Sequence, residues 1–116
     1  MAAKQHQAFR SGQVLVDAKL AGNLSETESG YRFDYASEYL LIPGALPISL
    51  TMPLRSEPYT SAVLFPFFDG LIPEGWLLTF AETIWKLNPR DRMGLLLACC
   101  RDCIGNISVI PGEESE

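Results

Sequence analysis

The stretch FFDGLIPEGW, residues 67–76, decides how this chain is organised. It combines an apolar approach, two glycines, a Pro-Glu-Gly turn and a tryptophan at the mouth of a predicted helix. Period-two patterns typical of strands come before it, and two helical patterns follow it. We therefore predict an α+β fold in which this stretch joins a small antiparallel sheet to two or three C-terminal helices.

Three strands upstream of this joint are predicted to form an N-terminal meander. The first alternates, with these apolar residues on one face: Val14, Val16, Ala18 and Leu20. A turn at residues 21–23 leads to a more polar strand over residues 24–28, and a second turn lies at residues 29–30. The third strand has an aromatic inner face made of Tyr31, Phe33 and Tyr35.

The segments between the meander and the joint are less regular. Residues 36–41 fit a short helical turn or an extended connector, and residues 61–68 fit the first turn of a short helix or a buried connector. A further strand is predicted over residues 47–53, with Ile48, Leu50 and Met52 on one face. Residues 54–60 are predicted to be a loop, since Pro58 excludes a regular helix.

A helix is predicted over residues 76–87, and its apolar arc of about 200° is wider than a single core face requires. Residues at the centre of the arc should pack on the sheet, whereas Trp76 and Trp85 lie near its opposite edges. Trp76 either covers the core or serves as an interface anchor, because tryptophan is enriched in binding hot spots. Its position beside the Pro-Glu-Gly turn favours the anchor.

The second helix is predicted to begin with Asn88 as N-cap and Pro89 at its first position, and to run to about Cys100. It is apolar nearly all round, which is typical of a central core helix. A closing strand is predicted over residues 107–110. The 116 residues then divide into a flexible lead (1–12), a single domain (13–111) and an acidic tail (112–116).

Charge and hydropathy exclude several classes of protein. The net charge of −5 opposes direct binding to nucleic acid, whose phosphates attract Lys and Arg. No apolar run approaches the length of about 20 residues that crosses a bilayer, so no membrane partner is expected. The polar N-terminus lacks the apolar core of a secretory signal, and we expect a cytoplasmic protein.

No constellation of catalytic or metal-binding residues is apparent, so we expect neither enzymatic activity nor a cofactor. The single histidine, His6, lies in the polar N-terminal stretch. We interpret the cysteines as buried structural thiols, because they lack a fourth ligand for zinc: Cys99, Cys100 and Cys103. Asp69 and Glu74 fit an acid/base pair in principle, but turn-stabilising roles suit them better.

Three segments, PISLTMPL (47–54), PFFDGLIPEGW (66–76) and GLLLACCRDCIGNISV (94–109), resemble in order and spacing the N-terminal subdomain of HipA-type serine/threonine kinases. The resemblance covers residues 14–110. In that family a much larger kinase core with the ATP-binding and catalytic residues follows this subdomain, whereas the present sequence ends in an acidic tail.

A stand-alone version of this subdomain is similar to HipS, the small subunit of HipBST toxin–antitoxin modules. The resemblance implies an antitoxin that binds and inhibits a HipT-like serine/threonine kinase, with a HipB-like helix-turn-helix protein in a larger complex. The contact loop it implies consists of Asp69, Gly70, Leu71, Ile72, Pro73, Glu74, Gly75 and Trp76, with Trp76 reaching towards the kinase active site. The alternative is a scaffold that bridges the kinase to the repressor without inhibiting it.

Overall fold

The sheet of this protein has five strands in the order β4-β3-β2-β1-β5, and every neighbouring pair is antiparallel. The structure is a computed structural model that describes residues 9–72, 90–100 and 106–112. The strands are β1 Ser11–Val16, β2 Lys19–Thr27, β3 Gly30–Tyr35, β4 Tyr59–Ser61 and β5 Ile107–Pro111. With helices α1 Ser37–Leu40, α2 Pro66–Asp69 and α3 Arg92–Cys99, they confirm the predicted α+β class.

The first hairpin turns earlier than the sequence predicts. Asp17 and Ala18 have φ of 51° and 67°, and Val16 pairs with Lys19 on either side of them. The predicted turn at residues 21–23 is therefore wrong, and so is the inward face assigned to Ala18 and Leu20, which are exposed. Val14 and Val16 are buried as predicted.

Gly22 looks like a turn residue but lies inside β2 because an aromatic ring packs over it. A Cβ at this position would lie 2.6 Å from Cζ of Phe33 and 2.3 Å from the carbonyl oxygen of Asp34. Only glycine allows that approach. The aromatic face of β3 is confirmed, since Phe33 and Tyr35 are buried and Tyr31 packs against the core. The second turn lies at residues 28–29, one residue before the predicted position.

Hydrogen bonds with the Tyr35 hydroxyl, and not pairing with a strand, hold residues 48–52 in place after α1. The predicted strand over residues 47–53 is wrong, since Leu50 is 94% exposed on a tight turn closed by a bridge between Ser49 and Met52. The Tyr35 hydroxyl accepts a hydrogen bond from Ile48 N–H at 3.0 Å and donates one to the Met52 carbonyl. These bonds satisfy buried backbone groups without a sheet neighbour.

The short elements settle two predictions that the sequence leaves open. Residues 36–41 contain a helical turn, α1. Residues 61–68 contain the start of a short helix, α2, which begins at Pro66. The loop predicted over residues 54–60 is wrong at its end, because β4 begins at Tyr59 and pairs with β3. Pro58 precedes this edge strand, where a missing N–H breaks no bond of the ladder.

Helix α3 is the central core helix that the sequence predicts. Its buried residues are Met93, Gly94, Leu95, Leu96 and Cys99. Asp91, not Asn88, is the N-cap, because an oxygen of its carboxylate accepts a hydrogen bond from Gly94 N–H at 3.1 Å. Asn88 and the helix predicted over residues 76–87 lie outside the described residues.

Residues on either side of the predicted domain, 13–111, make contacts with it. Arg10 binds Glu26 and Asp91 through its side chain, although the sequence predicts a flexible lead through residue 12. Gly112 N–H donates to the Ser11 carbonyl at 2.8 Å, next to the pairing of β5 with β1. The closing strand over residues 107–110 is confirmed and extends to Pro111. None of the described helices is long and apolar enough to cross a membrane.

Candidate partner-binding site

The structure describes the first half of the predicted contact loop. Asp69 is the last residue of α2, Gly70 caps that helix, and Leu71 and Ile72 follow. We call residues 69–72 the loop base. The other predicted contact residues lie outside the described residues: Pro73, Glu74, Gly75 and Trp76.

The loop base continues the compact turn that begins with α2. Pro66 occupies the start of this helix, where its missing N–H costs no hydrogen bond, and Phe68 is fully buried in the core. Gly70 N–H donates to the Pro66 carbonyl at 2.9 Å, and Leu71 N–H to the Phe68 carbonyl at 3.0 Å. Ile72 N–H donates to the Asp69 carbonyl at 3.3 Å, so internal bonds define the backbone through residue 72.

Contacts at both ends of helix α3 hold the loop base in place. At the start of the helix, Arg92 Nε donates to an Asp69 carboxylate oxygen at 2.6 Å. At its end, Cys100 Sγ donates to the Leu71 carbonyl at 3.3 Å, and the Ile72 side chain is buried. The loop base is therefore fixed to the central core helix.

A second group of charges lies at the start of α3. Arg10 makes hydrogen bonds to both carboxylate oxygens of Asp91 and both of Glu26. The hydrogen bond from Arg10 lowers the Asp91 pKa and outweighs the opposing effect of burial. Burial alone would raise the Glu26 pKa, but hydrogen bonds from the Arg10 side chain and backbone bring it below its ordinary value. All three groups are thus charged at neutral pH.

These contacts fix residues 69–72 to the core of the domain. Across residues 9–72, 90–100 and 106–112, no group of three or more His, Cys, Asp or Glu side chains could hold a metal ion. Cys99 and Cys100 are buried, as predicted for structural thiols, and Cys103 lies outside the described residues. The contacts of Arg92 and Cys100 with this segment could not be predicted, because neither residue has a local sequence pattern that links it to residues 69–72.

Comparison with known proteins identifies the fold. The model of the HipA N-terminal domain family matches residues 12–110. The chain belongs to the HipA N-terminal domain family. A solved structure of the N-terminal domain of HipA toxin superposes with a TM-score of 0.71 at 29% identity, covering 94% of this chain and 98% of the other. The resemblance inferred from the three motifs is confirmed, and the HipA N-terminal domain is a non-catalytic subdomain.

The relatives of this HipA N-terminal domain differ greatly in length. An uncharacterized protein from Haemophilus influenzae is 31% identical over 100 residues, which cover 86% of this chain and 91% of that protein. The putative kinase Y4mE from Sinorhizobium fredii is 26% identical over 99 residues, covering 84% of this chain and 24% of the kinase. The present chain thus spans about a quarter of the length of the putative kinase and most of the length of the other relative.

Proposed function

We propose that this HipA N-terminal domain is an antitoxin that binds and inhibits a HipT-like serine/threonine kinase toxin. The observation that carries the proposal is the match of residues 12–110 to a domain that forms one quarter of a putative kinase in one relative and most of a short protein in another. A domain found both joined to a kinase-sized remainder and nearly alone is suited to bind such a remainder as a separate chain.

Residues 69–76 are the proposed contact, and the described half of this loop supports that role. A binding loop whose base is already ordered loses less conformational entropy when it docks. The loop base has this order, since α3 holds Asp69 and Leu71, and Ile72 is buried. Trp76, four residues further along, is the proposed anchor that occupies the kinase active site.

A tryptophan side chain is large enough to act as the anchor of a binding contact. Burying an aromatic side chain of about 150–250 Å² at about 25 cal/mol per Å² contributes several kcal/mol before the costs of association. The net charge of −5 also favours a protein partner over direct contact with DNA. Any DNA binding by the complex would come from a HipB-like helix-turn-helix partner.

A titration of the purified protein into an active HipT-like kinase tests the proposal. Phosphorylation should fall to background near one equivalent. The Trp76→Ala variant should bind at least about 30-fold more weakly, the equivalent of about 2 kcal/mol, and should no longer inhibit. Leu50→Ala is the matched control, since Leu50 is 94% exposed on a different loop.

Two outcomes would contradict this function in different ways. If the protein binds the kinase and the helix-turn-helix protein together while the phosphorylation rate is unchanged, it is the bridging scaffold and not an inhibitor. If Trp76→Ala stays folded and inhibits as well as the wild type, the inhibitory contact lies elsewhere. Circular dichroism and urea unfolding of each variant separate loss of binding from loss of structure.

A further inference from the structure

We propose that this protein pairs with a second copy of itself, around a two-fold axis, through a small apolar hollow beside helix α1. The apolar residues that line the hollow are Val16, Tyr39, Ile42, Ala45 and Leu46. This surface is separate from residues 69–76, and the inference does not depend on the proposed function.

The hollow is formed before any partner binds. Val16 and Tyr39 are buried, so the core of the domain sets their positions. The Tyr39 hydroxyl donates a hydrogen bond to the Leu46 carbonyl at 2.6 Å, and Ala45 N–H donates to the Ile42 carbonyl at 3.1 Å. These bonds fix the loop that carries Ile42 and Leu46. An ordered surface loses little conformational entropy when it docks.

The surface around the hollow is apolar and carries no charge. Ile42 and Leu46 are 37% and 61% exposed, and Leu41, next to Ile42 in the sequence, is 81% exposed. Residues 39–54 include no charged side chain, although a fifth of the chain is charged. An exposed apolar patch with a polar rim is typical of a surface that binds another protein.

The charges at the rim of the hollow point to a second copy as its occupant. Asp17 and Lys19 also line the hollow, and both residues are exposed. A two-fold contact presents the same surface on both sides, so Asp17 of one copy can face Lys19 of the other, twice. The net charge of −5 makes two copies repel elsewhere. Here they can meet without opposing like charges.

The apolar residues complement each other in the same way. Leu41 of each copy is the proposed side chain that enters the hollow of the other copy. The patch is small, so the dimer belongs to the class of weak interfaces that bury less than about 1,200 Å² in total. We therefore expect a Kd of about 10–100 μM, which makes the dimer dependent on protein concentration.

Sedimentation equilibrium of the free protein over a wide range of concentration tests the pairing. The wild type should shift from monomer to dimer as its concentration rises. Leu41→Asp and Leu46→Asp should each weaken the dimer at least about 10-fold. Leu50→Asp is the matched control, because Leu50 is 94% exposed and does not line the hollow. It should dimerise as the wild type does.

The rim is tested by charge and by cross-linking. Lys19→Asp should weaken the dimer because it places like charges opposite each other, whereas Lys19→Arg should not. A carbodiimide joins neighbouring carboxylates and amines as amides. In a mixture of isotope-labelled and unlabelled protein, it should yield hybrid peptides that join Asp17 of one copy to Lys19 of the other.

Three results would overturn the proposal. The first is a wild type that stays monomeric at every concentration. The second is a dimer that Leu46→Asp and Lys19→Asp leave unchanged, since another surface then forms it. The third is a monomeric protein in which Leu46→Asp weakens binding to a HipT-like kinase, since the kinase then occupies the hollow. Circular dichroism of each variant separates loss of pairing from loss of structure. The antitoxin function stands or falls separately, by the kinase titration.

Discussion

The guanidinium of Arg10 forms a two-point contact with the carboxylate of Asp91, with both N···O distances at 2.8 Å and the two residues 81 positions apart in the sequence. Asp91 is also the N-cap of α3, so one carboxylate joins the approach to β1 with the start of the core helix. Glu26 of β2 completes the cluster through its own bonds to Arg10. The cluster thus connects three distant parts of the chain.

Replacing Arg10 should destabilise the domain. Arg10→Gln leaves the carboxylates of Glu26 and Asp91, both partly buried, without their cation, and we expect a loss of about 1–3 kcal/mol in the free energy of unfolding. Urea unfolding at pH 7 measures this loss. Arg32→Gln is the control, since its ion pair with Asp34 is exposed, and its unfolding midpoint should hardly move. Equal midpoints for Arg10→Gln and the wild type would contradict the prediction.

The same cluster should make stability depend on acid pH. Arg10 lowers the Asp91 pKa by hydrogen bonding, and the Glu26 pKa is also lowered, despite burial, by hydrogen bonds from Arg10. Above about pH 5 both carboxylates are ionised in the folded and unfolded chains, and the contribution is complete. Below about pH 4 the unfolded chain takes up protons first, and the contribution disappears as pH falls through the folded-state values.

Unfolding midpoints of the wild type and Arg10→Gln between pH 7 and pH 3 measure this effect. The gap between the two proteins should be constant down to about pH 5 and should narrow below about pH 4. A gap as wide at pH 3 as at pH 7 would assign the effect of Arg10 to the packing of its side chain and not to its charge.

Removing the Tyr35 hydroxyl should also destabilise the domain. Tyr35→Phe leaves the Ile48 N–H and the Met52 carbonyl without their partner in the core, at a cost of about 1–3 kcal/mol. Tyr59→Phe is the matched control, because its hydroxyl donates to the exposed Pro53 carbonyl, which water can satisfy. Chemical unfolding of both variants should rank Tyr35→Phe as the less stable, and the reverse order would argue against this role.

The first hairpin offers a stabilising substitution. Ala18 has φ of 67°, a left-handed conformation that strains any residue with a Cβ. Ala18→Gly should remove that strain, and after the entropy cost of glycine we expect a gain of about 0.5–1 kcal/mol. Asp17→Gly should gain less, since aspartate tolerates this conformation. Thermal unfolding compares the two, and a lower melting temperature for Ala18→Gly would show that the turn is not strained.

Local patterns predicted the elements whose partners are close in sequence or whose faces are uniform. Tyr31, Phe33 and Tyr35 alternate clearly, and residues 93–100 are apolar enough to identify the core helix. The position of the first turn could not be predicted, because Asp17-Ala18 lacks the glycine typical of such turns. Gly22 lies inside β2 instead, where the absence of a side chain leaves room for the ring of Phe33. Ile48, Leu50 and Met52 alternate in the sequence as they would in a strand. They lie on a tight turn, where Ile48 and Met52 are buried and Leu50 is exposed.

The sequence predicts which residues form the candidate site, but not the contacts that hold them in place. The motif at residues 66–76 supports the contact loop by resemblance, but nothing near Asp69 indicates that Arg92 binds it. Ion pairs between distant residues depend on how elements pack, and charge alone does not specify the partner. For the same reason, the sequence does not predict the hydrogen bonds from Arg10 to Asp91 and from Cys100 to the Leu71 carbonyl.

The position of β1 between β2 and β5 also constrains when this protein can finish folding during synthesis. The ribosome delivers β1, β2 and β3 first, but the second partner of β1, the strand β5, begins only at Ile107. Until that strand emerges, β1 is an unprotected sheet edge, the kind of surface on which chains aggregate. Nascent or prematurely terminated chains should therefore be the forms that most need chaperones.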